Sequence, residues 1–266
     1  MIENTPLAGD VDYAPCGSHY AALRRPDPRI EARIHAALGA ARTILNIGAG
    51  AGSYEPLDRH VIAIEPSPAM RAQRPPHLAP ALRGRAESLP LDDASVDASM
   101  AIATVHQWQD LSAGLRELRR VTRGPIVLLC FEGDALDRYW LAEYVPELIA
   151  VERRRYPAIA RLQTELSLDG RRTELTAIPI PIDCTDGFTE AFYARPEKFL
   201  DPAVTQAQSA WTFVAPAVRE RFLAALHNDL RSGGWDARFG THRTLPAFEG
   251  SLRLIVSTPT ESPSKR

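Results

Sequence analysis

Over residues 27–134, short apolar runs alternate with stretches whose apolar residues recur every three or four positions. The first pattern suits strands buried on both faces of a sheet, and the second suits helices laid across it. Ile30, Ile34, Ala37 and Leu38 form one helical stripe. Asp27 is its expected N-cap, with Pro28 at the first helical position, and the helix closes near Gly39. Strand one begins at Thr43 and strand two covers 61–65. Strand three is short, around 81–83, after a connection rich in proline (Pro75, Pro76, Pro80). Strand four spans 96–101. A helix with Leu111, Leu115 and Leu118 on one face follows, and the apolar run 125–131 is strand five. Strands and helices alternating at these lengths predict an open parallel sheet.

The pattern changes after Asp134. Residues 135–170 read as helices, dense in aromatics at Tyr139, Trp140 and Tyr144. Strand six is expected over 175–183. Helices are expected over 188–200 and 214–232, around a loop carrying Trp211, with Gly233-Gly234 closing the last one. Strand seven, 252–256, is antiparallel at or near the sheet edge, and a flexible tail starts at Thr258. The predicted fold is α/β and Rossmann-like: seven strands, mostly parallel, with helices on both faces and helical insertions forming a substrate cap. Within one domain, 27–134 is the core, 135–172 and 186–240 are the cap, 173–185 and 250–257 hold strands six and seven, and 258–266 is the tail.

The chemistry concentrates where strand one ends. Ile44-Leu45-Asn46-Ile47 runs into Gly48-Ala49-Gly50-Ala51-Gly52, three glycines spaced two apart. A strand that ends in such a turn and feeds a helix presents bare backbone to a ligand. Strand two ends on Glu65, and a carboxylate there accepts both protons of a ribose diol. Together they point to an adenosine-containing cofactor near residue 50.

The glycine spacing resembles motif I of the class I S-adenosylmethionine (SAM) methyltransferases, and the resemblance extends to residue 131. Glu65-Pro66-Ser67-Pro68-Ala69-Met70 resembles the family's acidic loop. Gly84-Arg85-Ala86-Glu87-Ser88-Leu89-Pro90 resembles the segment after its third strand. Ser95 to Trp108 is similar to its fourth strand and functional tip, and Leu115-Arg116-Glu117-Leu118-Arg119-Arg120-Val121 to the helix before strand five. The nearest group is the small-molecule, ubiquinone-biosynthesis-like branch (methyltransferase type 11). This resemblance implies SAM as cofactor and S-adenosylhomocysteine (SAH) as product. It places Asn46, Gly48, Ala49, Gly50 and Gly52 in the cofactor loop. Glu65 falls at the ribose beside Pro66 and Ser67, Met70 against adenine, Ala86 and Glu87 around adenine, and Ala103 at the strand-four tip. The N-terminal segment would fold over the cofactor, so that Tyr20 or Arg24 meets its carboxylate. One position departs from the family: Asn46 stands where an acid is usual and brings no charge.

His106, just beyond strand four, is the candidate general base; its other reading is a histidine that lines the pocket without moving a proton. Trp108, Trp140, Tyr144 and Trp211 are candidates to wall an apolar substrate pocket, against a reading as core anchors. Arg153-Arg154-Arg155 reads as a solvated helix face, with an anionic substrate contact as the alternative.

Composition narrows the partners. The chain has 31 basic and 33 acidic residues and a net charge of -2, with no polybasic run for a nucleic-acid groove. No apolar run approaches the roughly 18 residues of a membrane helix, and the N-terminus lacks signal-peptide regions. Cys16, Cys130 and Cys184 are scattered, which suits a reducing cytoplasm and makes neither a disulfide framework nor a metal site. The expectation is a cytoplasmic, metal-independent enzyme that methylates O, N or C of a small molecule, in secondary metabolism. Two alternatives stand beside it. An NAD(P)-dependent oxidoreductase is disfavoured by the glycine register and by the lack of a Tyr-x-x-x-Lys pair. A non-catalytic SAM- or SAH-binding protein is left open by Asn46.

Overall fold

A computed structural model describes residues 23–260. Its strands are β1 (Thr43–Ile47), β2 (His60–Ile64), β3 (Ala98–Ile102), β4 (Ile126–Phe131), β5 (Arg171–Ala177), β6 (Ile180–Pro181), β7 (Ala247–Phe248) and β8 (Leu252–Pro259). Its α-helices are α1 (Pro28–Ala37), α2 (Pro68–Ala72), α3 (Leu111–Val121), α4 (Leu141–Tyr144), α5 (Pro146–Arg155), α6 (Ile159–Leu166), α7 (Pro202–Gln206), α8 (Pro216–Ser232) and α9 (Gly234–Phe239). Local chemistry sets several ends. Asp27 caps α1 by accepting from the Arg29 amide, Asp110 caps α3, and Gly233 closes α8 in the left-handed region.

The main sheet has the order β2-β1-β3-β4-β8-β5. β1 pairs in parallel with β2 and β3, and β3 with β4, while β8 runs antiparallel to both neighbours. From β1 the chain moves outward to β2 and then returns to the other side at β3. The crevice beyond the C-terminal ends of β1 and β3 is therefore the topological switch point, where open α/β sheets bind ligands.

The sheet has six strands, which corrects the expected seven. The segment around 81–83 makes a single parallel bridge, Leu82 to Ile64. Leu82 exchanges backbone bonds with Ala63 and Glu65, and Pro80, with no amide hydrogen, stands two residues before it. The sixth expected strand also shifts. β5 starts at Arg171 and ends at Ala177, and Ile180–Pro181 pairs instead with Ala247–Phe248 as a separate ribbon. β5 exposes most of its side chains at the sheet edge, so it carries little apolar signal. β8 extends to Pro259, past the expected start of the tail, because its residues 253–259 pair with β5.

Side chains alternate along the buried strands to feed two cores. Ile44, Met100, Val127 and Leu129 face α1 and the cap helices. Leu45, Ala101, Leu128 and Cys130 face α3 and α6. Hence α6, within the stretch expected to be cap, belongs to the sheet layer. The cap aromatics Trp140, Phe199, Phe222 and Trp235 join the first core without a break, so cap and sheet share one core.

Candidate active site

The glycine turn sits at the C-terminal edge of β1. Gly48, Gly50 and Gly52 all have positive φ (64°, 52° and 95°), which favours glycine. At Gly48 a Cβ would lie within 2.8 Å of Thr104 Cβ and closer still to its Oγ1. The Thr104 side chain beyond β3 thus packs directly on the Gly48 backbone beyond β1. Gly52 has a different job: a Cβ there would overlap Leu78 Cδ1, and its amide donates to the Ala49 carbonyl at 2.8 Å. It lines none of the three cavities described below, which corrects its assignment as a ligand contact. It shapes the turn.

Asn46 is buried below the turn, and its Nδ2 donates to Glu55 Oε1 at 2.8 Å. Glu55 is held by Arg74 through two bonds of 3.0 and 2.8 Å, both side chains being almost fully buried. The acid absent from position 46 is therefore present one contact away. Asn46 Oδ1 has no hydrogen-bond partner.

Three cavities adjoin along this edge. The first, about 960 Å³ and open to solvent, is lined by Glu65, Pro66, Ser67, Ala86, Glu87 and Trp108 among others. The second, about 600 Å³, lies against Asn46, Ala49, Gly50, Met70, Ala103 and Arg24. Gly48, Glu65, Thr104 and Gln107 line both. The third, about 550 Å³ with the open solvent at its mouth included, reaches under the cap to His106, Phe131, Glu152, Arg155, Tyr156 and Glu190. It shares Arg24, Ala103 and Gln107 with the second. Ala103 holds this junction with φ +50°, an uncommon conformation for a residue with a Cβ.

Glu65 divides the first two cavities. Its Oε2 accepts from the Gly50 amide at 2.9 Å and its Oε1 from the Ser67 amide at 2.7 Å. Each oxygen keeps a lone pair for a ligand hydroxyl. Burial raises its pKa above the ordinary value, and the two amides oppose that rise. Ser67 also caps α2, accepting from the Met70 amide at 3.3 Å. Met70 lines the second cavity, beside Gly50. Glu87 is latched by the Gln109 and Asp110 amides at 2.8 and 3.2 Å. The Ala49 amide is already used by the Ile64 carbonyl at 3.0 Å, so Ala49 offers a ligand only its surface.

The third cavity collects ionisable groups that the sequence did not single out. Glu190 accepts from the Ser251 amide at 3.0 and 3.1 Å and from the Ser251 hydroxyl, and burial pushes its pKa up to about 7. Glu152 accepts from the Tyr156 hydroxyl and from Thr189 Oγ1 at 3.5 Å, and burial raises it too. Burial and the neighbouring Glu152 push the Tyr156 phenol well above its ordinary value. His106 stands edge-on to Tyr156, ring centroids 5.3 Å apart. Burial, then the charges of Arg155 and Arg24, holds its pKa well below the ordinary imidazole value, so it is neutral at physiological pH. Arg24 Nε donates to Asp186 at 2.6 Å, and Asp186 also accepts from Tyr54 at 2.9 Å. Arg155 is buried, which corrects the solvated-face reading of that residue, whereas Arg154 is exposed. Leu148, Val151, Glu152 and Arg155 recur at helical spacing and are all buried; that period is the signal that marks Arg155 as inward.

The aromatic candidates separate. Trp108 lies in the first cavity with Ala86 and Glu87, on the side expected for the cofactor, and packs so closely on Gly114 that a Cβ there would come within 2.8 Å of its Cζ3. Trp140 and Tyr144 line none of the three cavities, correcting their place in a substrate wall. Trp140 is fully buried, donates to the Tyr193 carbonyl at 3.0 Å and meets Trp235, Phe199 and Tyr144 edge-on. Tyr144 donates to Asp229 at 2.6 Å. Trp211 also lines no cavity, but its indole donates to Gln208 Oε1 at 3.1 Å, and Gln208 lines the third. Tyr20 lies outside the described residues.

A SAM molecule fits this donor set: a turn whose first glycine leaves no room for a side chain, a buried carboxylate with free lone pairs, and a polar second cavity beyond it. Comparison with known proteins agrees. A model of the methyltransferase domain matches residues 45–128. A protein of Anabaena variabilis, provisionally described as a methyltransferase from an antibiotic biosynthesis pathway, is 32% identical, with a TM-score of 0.84 over 89% of this chain and 99% of that one. An uncharacterized methyltransferase of Mycobacterium tuberculosis is 40% identical over 92 residues, 32% of this chain and 37% of that relative's length. A SAM-dependent methyltransferase of Thermotoga maritima shares the fold, with a TM-score of 0.52 at 17% identity over 92% of this chain and 91% of that one. The chain belongs to the class I SAM-dependent methyltransferases.

Proposed function

We propose that this protein transfers the methyl group of SAM to an O, N or C nucleophile of a small molecule held in the third cavity, in secondary metabolism. The observation that carries this reading is the continuity of the three cavities, which all share Gln107 and end under the cap. The Anabaena relative's description supports the metabolic setting.

In this reading Glu65 holds the ribose, Ala86, Glu87 and Trp108 surround the adenine, and the glycine turn with Asn46 borders the methionine part. Bound SAM supplies a methyl group made electrophilic by its sulfonium. The protein's task is to align the acceptor and keep water out. Neutral His106, which lines the third cavity, is the group that accepts a hydrogen bond or a proton from the acceptor; burial and two nearby guanidinium groups disfavour its charged form, so any proton it takes must pass on quickly. Glu55, hydrogen-bonded to Asn46, keeps a carboxylate beside the turn and weighs against a purely non-catalytic role for a site with Asn at that position.

The test is incubation with methyl-labelled SAM and a panel of small acids, phenols and amines, reading SAH formation. Acceptor-dependent SAH production is expected. Tight SAM binding with no turnover across the panel would point to a non-catalytic binder.

A further inference from the structure

Arg155 is the one buried cation of the third cavity whose donors are left over. Its Nη1 donates to Ser209 Oγ at 3.2 Å, and its guanidinium stacks over the Phe213 ring, 4.8 Å from the centroid. Nε and Nη2 are buried and have no hydrogen-bond partner among the described residues. Those two nitrogens form one edge of the guanidinium, with two parallel N–H bonds whose spacing matches the two oxygens of a carboxylate. Arginine cannot shed its proton to escape burial, and buried donors left unmade are costly.

The nearest acid does not relieve this edge. Glu152 lies one helical turn earlier on α5, but it accepts its hydrogen bonds from Tyr156 and Thr189. Glu190 is committed to Ser251. Burial raises the pKa of both carboxyls, while Arg155 favours the charged form of Glu152; neither acid accepts a hydrogen bond from the guanidinium among the described residues. The same cavity has an aromatic wall: Phe131 stacks on Tyr156 with centroids 5.1 Å apart, and Phe188 lies 5.7 Å from Phe131.

We propose that the acceptor is an organic acid, and that Arg155 clamps its carboxylate side-on through Nε and Nη2 in the third cavity. This identification of the acid as the methyl acceptor rests on the methyltransferase reading above; the carboxylate site itself does not. The edge is sealed from solvent, so an entering acid displaces a side chain of the wall to reach it. Ser209 and Phe213 fix the guanidinium plane beforehand, which makes Arg155 a specificity-determining residue. The body of the acid then lies among Phe131, Tyr156 and Phe188, and its nucleophile points to the junction at Ala103, beside His106.

The test compares benzoate with its neutral isostere benzamide, binding to the full chain with and without SAH, by calorimetry or ligand-observed NMR. Wild type is expected to bind benzoate about tenfold or more tighter than benzamide, since only the carboxylate completes the fork. Arg155→Met should bring the two to within about threefold of each other, and Arg155→Lys, which keeps the charge without the fork, should lose most of the preference. SAH affinity should be unchanged in both variants, which also reports that they fold, because Arg155 lines neither of the cavities flanking the glycine turn. Equal binding of the two probes by wild type, undetectable benzoate binding, or a preference that survives in a folded variant would each overturn the proposal. Should Arg155→Met not fold, wild type and Arg155→Lys decide. Failure of wild type to bind SAH strikes the methyltransferase reading instead and leaves the carboxylate result standing.

Discussion

Glu65→Gln is the sharpest single probe of the cofactor cleft. The wild-type carboxylate receives two backbone amides, Gly50 at 2.9 Å and Ser67 at 2.7 Å. Glutamine has one oxygen and one NH2 group, so one of these amides loses its acceptor and faces a donor. That loss costs about 1–3 kcal/mol, partly offset because the neutral amide is easier to bury. Ligand binding suffers separately. One charge-assisted bond to a ribose hydroxyl disappears and the other becomes neutral, a loss of about 2–3 kcal/mol, or roughly 30- to 150-fold in Kd. Calorimetric titration with SAH reads this directly, with thermal unfolding as the control for folding. The pH dependence adds a second signature. Glu65 has a raised pKa in the folded chain, so wild-type SAH affinity should fall on acidification through a window starting above the ordinary carboxylate value, and the variant should lack that fall. Stability runs the other way: the folded state holds this proton more tightly than the unfolded state, so the group's contribution declines as pH rises from its unfolded to its folded pKa. A variant that binds SAH within about threefold of wild type would refute Glu65 as the ribose acceptor.

Other outcomes follow from the same geometry. Gly48→Ala should abolish SAH binding and lower the melting temperature, with about 1–2 kcal/mol from the left-handed backbone alone and more from the overlap with Thr104; adding Thr104→Gly should recover only the second part. His106→Gln should cut turnover far more than SAH affinity. His106 has a depressed pKa in the folded chain, so wild-type stability should drop as pH falls from about 6.5 toward that lower value, by up to about 1.4 kcal/mol per pH unit, and the variant should show a shallower slope in denaturant melts. Asn46→Asp should set two carboxylates against each other at the Glu55 contact and destabilise the chain by about 1–3 kcal/mol near neutral pH. Mild acid should restore part of that loss as the pair shares a proton; unchanged stability would mean that Arg74 serves both acids.

What could be read from the sequence was local chemistry. The glycine turn, Glu65 and the Ala86-Glu87 segment lie close together in the chain, and each carries its reason in its own residue types. The same holds for the Asp27 and Asp110 caps. Strand three failed because Pro80 limits it to one bridge, and β5 was misplaced because an exposed edge strand has no apolar alternation to read. The third cavity was hidden for a different reason. Glu152 and Arg155 on α5, Glu190 after the small ribbon and Ser209 beyond it are distant in sequence, and only the packing of the cap brings them together. The arginine run 153–155 obscured the inward-facing member, although its spacing from Leu148 and Val151 marks it. Trp140 and Tyr144 could not be told from pocket residues by type, since aromatic area serves a core and a binding wall equally well.

The decisive measurement is a crystal structure of the full chain with SAH bound. The account predicts the ribose hydroxyls on Glu65, the adenine beside Ala86, Glu87 and Trp108, and the sulfur at the junction by Ala103, facing the cavity that holds His106 and Arg155. An SAH whose sulfur is turned away from that junction, or one bound outside the glycine turn, would contradict it.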